Sequence, residues 1–125
     1  MVKLILSRKG FDASSGGAPS PILPDGRLLS VPIPCSYSPI TYDDLHLGGL
    51  CVGRLVEDLT RGRVRSEHRA HLDPDLRPEI HPRVAGWRPL FGQAGAAQAH
   101  LAAQAVGPGD LFLFFGWFRQ VEAIQ

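Results

Sequence analysis

Chemistry-bearing side chains appear almost at the start of this chain. Arg8, Lys9 and Asp12 fall within five residues, directly after an apolar run, and Ser14, Ser15, Gly16 and Gly17 follow them. Two cations and a carboxylate at the carboxyl end of a strand are where a scaffold commonly presents working groups. The small residues add backbone freedom and N–H groups of the kind that line an anion-accepting concavity. These residue types also fit a flexible surface loop, and a connection of about a dozen residues in a compact domain tends to be either functional or disordered. A second cluster is HLDPDL, residues 71–76, in which His71, Asp73 and Asp75 stand close together. Imidazole nitrogen and carboxylate oxygen can run acid–base chemistry or hold a divalent metal. Asp12, His71, Asp73 and Asp75 are therefore the catalytic candidates, although no metal is assigned and no cofactor is specified. The competing reading has Asp73-Pro74 start a turn, with both carboxylates capping backbone N–H groups.

Groups suited to a nucleotide are spread more widely. Gln93, Gln98 and His100 lie on or beside an Ala-rich segment, and a Gln amide can read a base edge through its paired donor and acceptor. Trp117 and Arg119 alternate onto one side of an apolar terminal segment, where an indole and a guanidinium could stack on a base and pair with phosphate. The apolar neighbours of Trp117 predict a core position for the indole and leave Arg119 as the functional residue. Arg8, Lys9, Gln98 and Arg119 are the nucleotide-binding candidates.

The elements that must carry these groups read as follows. Val2, Leu4 and Leu6 alternate with Lys3 and Ile5 as in a buried strand. Pro24-Asp25-Gly26 has the chemistry to reverse the chain between short strands at 21–23 and 27–33, with Leu29, Val31 and Ile33 on one face. Residues 35–49 look irregular and are expected to run over the surface. Leu55, Val56 and Leu59 have helical spacing within 50–59, and Gly53 weakens that helix. Over 60–88 the chain is polar and proline-punctuated. Arg61, Arg63 and Arg65 would form a basic ridge if this segment were extended, and a solvated loop neutralised by Glu67, Asp73, Asp75 and Glu79 if it were not. The clearest helix spans 93–104, with Ala94, Ala97 and Leu101 as an apolar face suited to close packing on a sheet. LFLFFGWFR, residues 111–119, is apolar on both sides and predicts a central strand covered on both faces, with Gly116 where another backbone or a ligand approaches.

Length and composition bound the answer without choosing it. The 125 residues fit one domain, and 44% hydrophobic with 20% charged residues is an ordinary globular balance. The formal net charge is +1, so bulk electrostatics predict no partner; 11 of the 13 basic residues are Arg, which suits phosphate but also follows from a GC-rich genome. Cys35 and Cys51 form no CxxC pair and read as reduced thiols of a cytoplasmic protein. The apolar runs are too short for a signal-peptide core or a membrane span. The common phosphate-loop, dinucleotide, hydrolase-elbow and zinc-protease motifs are absent from the sequence.

Taken in order, SRKGFD with GG and PSPILPDG, then HLDPDL, GWRPLFGQAGAAQ and GDLFLFFGWFR resemble the third of the nucleotide-modification-associated domain families of bacteria and phages. The likeness runs from Lys3 to about Arg119. It implies a component of systems that make, handle or recognise modified bases in DNA, and carries no particular reaction with it. The implied partner is a nucleotide or DNA with a modified base, held by the cations and N–H groups of the Arg8/Lys9 loop, with Asp12 or Gln98 on the base or sugar. A hydrolase or transferase using the Asp/His set is the enzymatic alternative, and a non-catalytic interaction protein is the third. The expected fold is α+β, a small mixed sheet with one or two packed helices. The helix followed by Gly109-Asp110 and a strand is similar to an element of PUA-like base-recognition folds. Proteins of the family continue past the GWFR strand, whereas this chain ends at VEAIQ. The resemblance thus implies a single domain shortened at its carboxyl end, with oligomerisation through an exposed C-terminal strand as a consequence.

Overall fold

The computed structural model describes residues 1–71, 85–86 and 95–122. In chain order its elements are β1 (Leu4–Arg8), β2 (Ser20–Ile22), a 3-10 turn (Tyr42–Asp44), β3 (His46–Leu47), β4 (Leu50–Cys51), α1 (Val52–Thr60), α2 (Gly95–Ala103), β5 (Leu111–Phe115) and β6 (Phe118–Gln120). The fold is α+β, as the pattern predicts, and its strands form three two-stranded sheets: β1 with β5, β2 with β6, and β3 with β4.

The first two of these sheets are halves of one ladder. β1 runs parallel to β5 with Leu4 opposite Leu111 and Arg8 opposite Phe115, and β2 runs parallel to β6 with Ser20 opposite Phe118. Asp110 fixes the register at the amino end: its carboxylate accepts the N–H of Lys3 at 2.9 Å and that of Gly107 at 3.0 Å, while the Leu111 N–H donates to the Lys3 carbonyl at 2.9 Å. At the other end the Lys9 N–H donates to the Phe115 carbonyl at 2.8 Å, and pairing resumes where the Ser20 N–H reaches the Trp117 carbonyl at 2.9 Å. Eleven residues, 9–19, thus face only two, 116–117, on the partner segment. The surplus has to leave the ladder as a loop, and this loop carries Lys9 and Asp12.

The core lies beside this ladder. Leu23, Leu29 and Val31 from the first hairpin meet Tyr42, Leu45 and Leu47, together with Val52, Leu55 and Val56 of α1. The Pro24-Asp25-Gly26 turn forms as expected, with the Leu23 N–H donating to the Arg27 carbonyl at 2.7 Å and Arg27 paired to Asp25 at 2.6 Å. Leu55 and Val56 of α1 are buried, and Leu59 packs against the core. The helix ends where Arg61 takes a left-handed φ of 54° and the Gly62 N–H bonds the Glu57 carbonyl at 2.8 Å. Thr60 is buried, its hydroxyl donating to the Val56 carbonyl at 2.7 Å and accepting the Val64 N–H at 2.9 Å.

Several expectations are corrected here. Residues 35–49 do not simply run over the surface: Tyr42 is fully buried with its hydroxyl on the Pro32 carbonyl at 2.6 Å, and Leu45 and Leu47 join it in the core. β1 is not buried: among the described residues it pairs with β5 alone, and Leu4 and Leu6 are exposed. The terminal apolar segment is not one covered central strand, since it breaks at Gly116-Trp117 into β5 and β6, and Leu111, Leu113 and Phe115 are exposed. α2 forms within the expected span but stands off the sheet. A cleft of about 590 Å³ separates Ala97, His100, Leu101 and Gln104 from β1. No helix among the described residues is long and apolar enough to cross a membrane.

Gly53 has a role opposite to the one its type suggests. A Cβ there would lie 2.5 Å from the Asp43 carboxylate and 2.8 Å from the Ser66 Cβ, so glycine is what lets α1 approach both segments. We predict that Gly53→Ala lowers stability by about 1–3 kcal/mol despite the better helix propensity of alanine. Urea unfolding checks this through a lower midpoint at unchanged slope; an unchanged or higher midpoint contradicts it.

Candidate functional site

Parallel pairing delivers the carboxyl ends of β1 and β5 to one rim. Successive side chains on a strand point to opposite faces, so Arg8 and Lys9 straddle the end of β5: the Arg8 guanidinium lies 5.7 Å from the Phe115 ring centre and the Lys9 ammonium 5.9 Å from that of Phe114. Gly116 comes next, and a Cβ there would lie 2.9 Å from the Lys9 carbonyl. The close approach read from the sequence at Gly116 is therefore made by the protein's own backbone. Trp117 follows and is 44% exposed, against the core position that its apolar neighbours predict. It falls in the two-residue break between β5 and β6, where its carbonyl accepts the Ser20 N–H at 2.9 Å. Arg119 is exposed on β6, opposite Pro21. It lies within ~14 Å of Phe115 along the chain.

The loop above this rim is built rather than loose. Phe11 is fully buried and packs edge-on against Tyr42, with ring centres 6.3 Å apart, which pins the loop to the core. Asp12 then organises the turn that follows. Its Oδ1 accepts the N–H of Ser14 at 2.9 Å, the Ser14 hydroxyl at 2.9 Å and the N–H of Ser15 at 2.6 Å, and the Gly17 N–H donates to its carbonyl at 2.9 Å. Arg63 closes the far side by donating to the Gly17 carbonyl at 2.9 Å. The N–H groups of Ser14, Ser15 and Gly17 were expected to cradle an anion, but the loop itself already uses them. What remains for a ligand is cationic: Arg8 is largely exposed and only 3.9 Å from Asp12 Oδ2.

Other predicted groups lie elsewhere. His71 is half-buried, and its N–H donates to the Ile33 carbonyl at 2.8 Å. Gln98 is exposed on α2 and is not among the side chains lining the cleft toward β1. Asp73, Asp75 and Gln93 fall outside the described residues. The basic ridge does not form, because 61–65 is a turn rather than extended backbone. Arg63 is tied to Gly17, Arg65 pairs with Glu67 at 2.8 Å, and Arg69 donates to the Ser38 carbonyl at 2.7 Å. Among the described residues no group of three or more His, Cys, Asp or Glu side chains is placed to hold a metal ion. The structure thus brings Arg8, Lys9 and Asp12 together, adds Phe114 and Phe115, with Trp117 next but one along the chain from Phe115, and leaves His71 and Gln98 on other segments. Phe114 and Phe115 were missed in the sequence, and Trp117 was set aside as core, because an apolar run reads as core whether or not anything covers it.

A family model described as nucleotide modification associated domain 3 matches residues 3–125. No curated protein and no solved structure matches the chain.

The Asp12 carboxyl is held below its ordinary value of 3.8, chiefly by the Ser15 N–H and next by the Ser14 hydroxyl, against an opposing effect of burial. A depressed carboxylate contributes order that is complete above the ordinary value and lost as pH falls through the lowered one. The Ser15 amide proton is therefore expected to titrate with a midpoint below 3.8 in an NMR acid series, and to lose that step in Asp12→Asn. A midpoint at or above 3.8 contradicts this arrangement.

Proposed function

We propose, from the premise that the chain belongs to the nucleotide modification associated domain 3 family, that it binds a nucleotide or modified nucleic acid at the carboxyl rim of β1 and β5. The family name associates the chain with nucleotide modification; the ligand and the site are the proposal. The observation that carries it is the meeting of two cations with two aromatic rings at one rim, Arg8 over Phe115 on one face and Lys9 over Phe114 on the other, with Trp117 half exposed two residues beyond Phe115 in the chain.

That combination suits a nucleotide for a physical reason. A flat aromatic surface accepts a base by stacking, worth about 1–3 kcal/mol per base, and tolerates any sequence because every base has a π-face. Cations beside it take the phosphate, and Arg does so through a planar, two-toothed contact. In this reading Trp117 is the stacking platform, Arg8 and Lys9 hold phosphate, and Arg119 extends the cationic track. Asp12 shapes the loop that presents Arg8.

The test follows Trp fluorescence while titrating single-stranded oligonucleotides of one sequence containing either cytosine or hydroxymethylcytosine. Three cationic contacts predict a salt slope of about −2, or binding roughly 20-fold weaker at ~200 mM than at ~50 mM salt. Arg8→Ala is expected to weaken binding and to flatten that slope by about 0.7. Trp117→Ala is expected to weaken binding at both salts without changing the slope. No response to either oligonucleotide at low salt would rule the reading out, and a response that survives Arg8→Ala unchanged would move the site elsewhere.

A further inference from the structure

The parallel register aligns Leu4 with Leu111 and Leu6 with Leu113, so the outward positions of both strands share one face. That face is apolar along its length and largely exposed, with α2 across a cleft from its β1 side: Leu4 is 63% exposed, Leu6 62%, Leu111 59% and Leu113 52%, and Val2 and Phe115 extend it at either end. These six side chains offer on the order of 600 Å² of surface, at the upper end of what a monomer usually shows as one patch.

We propose that a second copy of this chain covers this face, forming a two-fold dimer in which the two β1–β5 sheets pack face to face. The area suits a modest dimer contact, since each partner in a standard interface contributes ~800 Å² and the polar rim around such a patch supplies the remainder. Charge supports a like partner. The centre of the face carries no ionisable side chain, so its cover must be equally apolar, and a two-fold contact places the same patch on both sides. The cation at one end also fits. Arg8 lies at the carboxyl end of the face and Val2 at the amino end, so strands that cross a two-fold axis in opposite directions keep the two Arg8 groups apart. Stacked sheets sit ~10 Å apart with interdigitating side chains, a gap that Leu6 and Leu113 from both copies would fill. The loop rims then lie at opposite ends of the dimer, both open.

Sedimentation of the full chain from low to high micromolar concentration tests this without any nucleotide. The dimer mass is expected, with loss of the dimer in Leu6→Glu and in Leu113→Glu, because each places a carboxylate in the middle of the contact. Both residues are exposed in the protomer, so circular dichroism and the thermal midpoint should keep a folded signature; Val2→Glu, outside both strands, is the milder variant if either loses it. A monomer at every concentration, or a dimer that persists in the folded variants, overturns the proposal.

Discussion

Everything positional in this molecule depends on the register of β1 against β5. Parallel strands cannot be joined by a tight turn, and here more than a hundred residues separate Lys3 from the Asp110 carboxylate that catches its N–H. Closing so long a loop costs conformational entropy that grows only slowly with length, but the local contacts that reward it must be specific. Asp110 supplies that specificity. One oxygen accepts from Lys3 and the other from Gly107, so the same carboxylate shapes the turn into β5 and selects the residue of β1 that pairs there. A slip of one residue would turn the faces of one strand over against the other, exchanging Leu4 and Leu6 for Ile5 and Ser7 and moving Arg8 away from Phe115.

With that register set, the loop at 9–19 follows from counting. The partner segment spends two residues between β5 and β6, and the first segment spends eleven between β1 and β2. An insertion of this size could be a slack excursion, but three contacts prevent it. Phe11 drops into the core against Tyr42, Asp12 gathers the N–H groups of Ser14 and Ser15, and Arg63 holds the Gly17 carbonyl from across the fold. Asp12 and Arg63, which residue type suggests for chemistry, are largely spent on this shape. Arg8 is the group of this neighbourhood that is both exposed and set against an aromatic ring.

Much of the scaffold was legible where local chemistry decides it. The Pro24-Asp25-Gly26 reversal, the buried Leu29 and Val31, the face of α1 and the Ala-rich helix all rest on short-range patterns, and all are present. The core contribution of Tyr42, Leu45 and Leu47 was not legible, because a 3-10 turn followed by two-residue strands has no period to read. Exposure was misread for a different reason. An alternating apolar strand signals a face that wants cover, but whether cover arrives depends on what the sheet recruits, and among the described residues β1 and β5 pair only with each other. Among candidate site residues, Arg8, Lys9 and Asp12 were visible because they follow one another in sequence. Phe115 was hidden because its partner Arg8 lies more than a hundred residues away, and Trp117, visible as a stacking group, was assigned to the core by its apolar neighbours.

The apolar face and the cationic rim are properties of the same two strands, yet they are physically separable. Cover for the face depends on area, on Leu4, Leu6, Leu111 and Leu113, and is insensitive to salt to first order. Capture at the rim depends on charge held beside aromatic rings and weakens with ionic strength. With a net charge of only +1, the chain has little long-range field to draw in a polyanion. Attraction must therefore be local, from cations the fold brings to one edge. Two copies joined through the face would double that edge without bringing like charges together, and avidity would then supply what net charge does not. The sheet has to stay at two strands with its face clear for both arrangements to hold, so the exposure that looks like a defect in the protomer is the condition on which they depend.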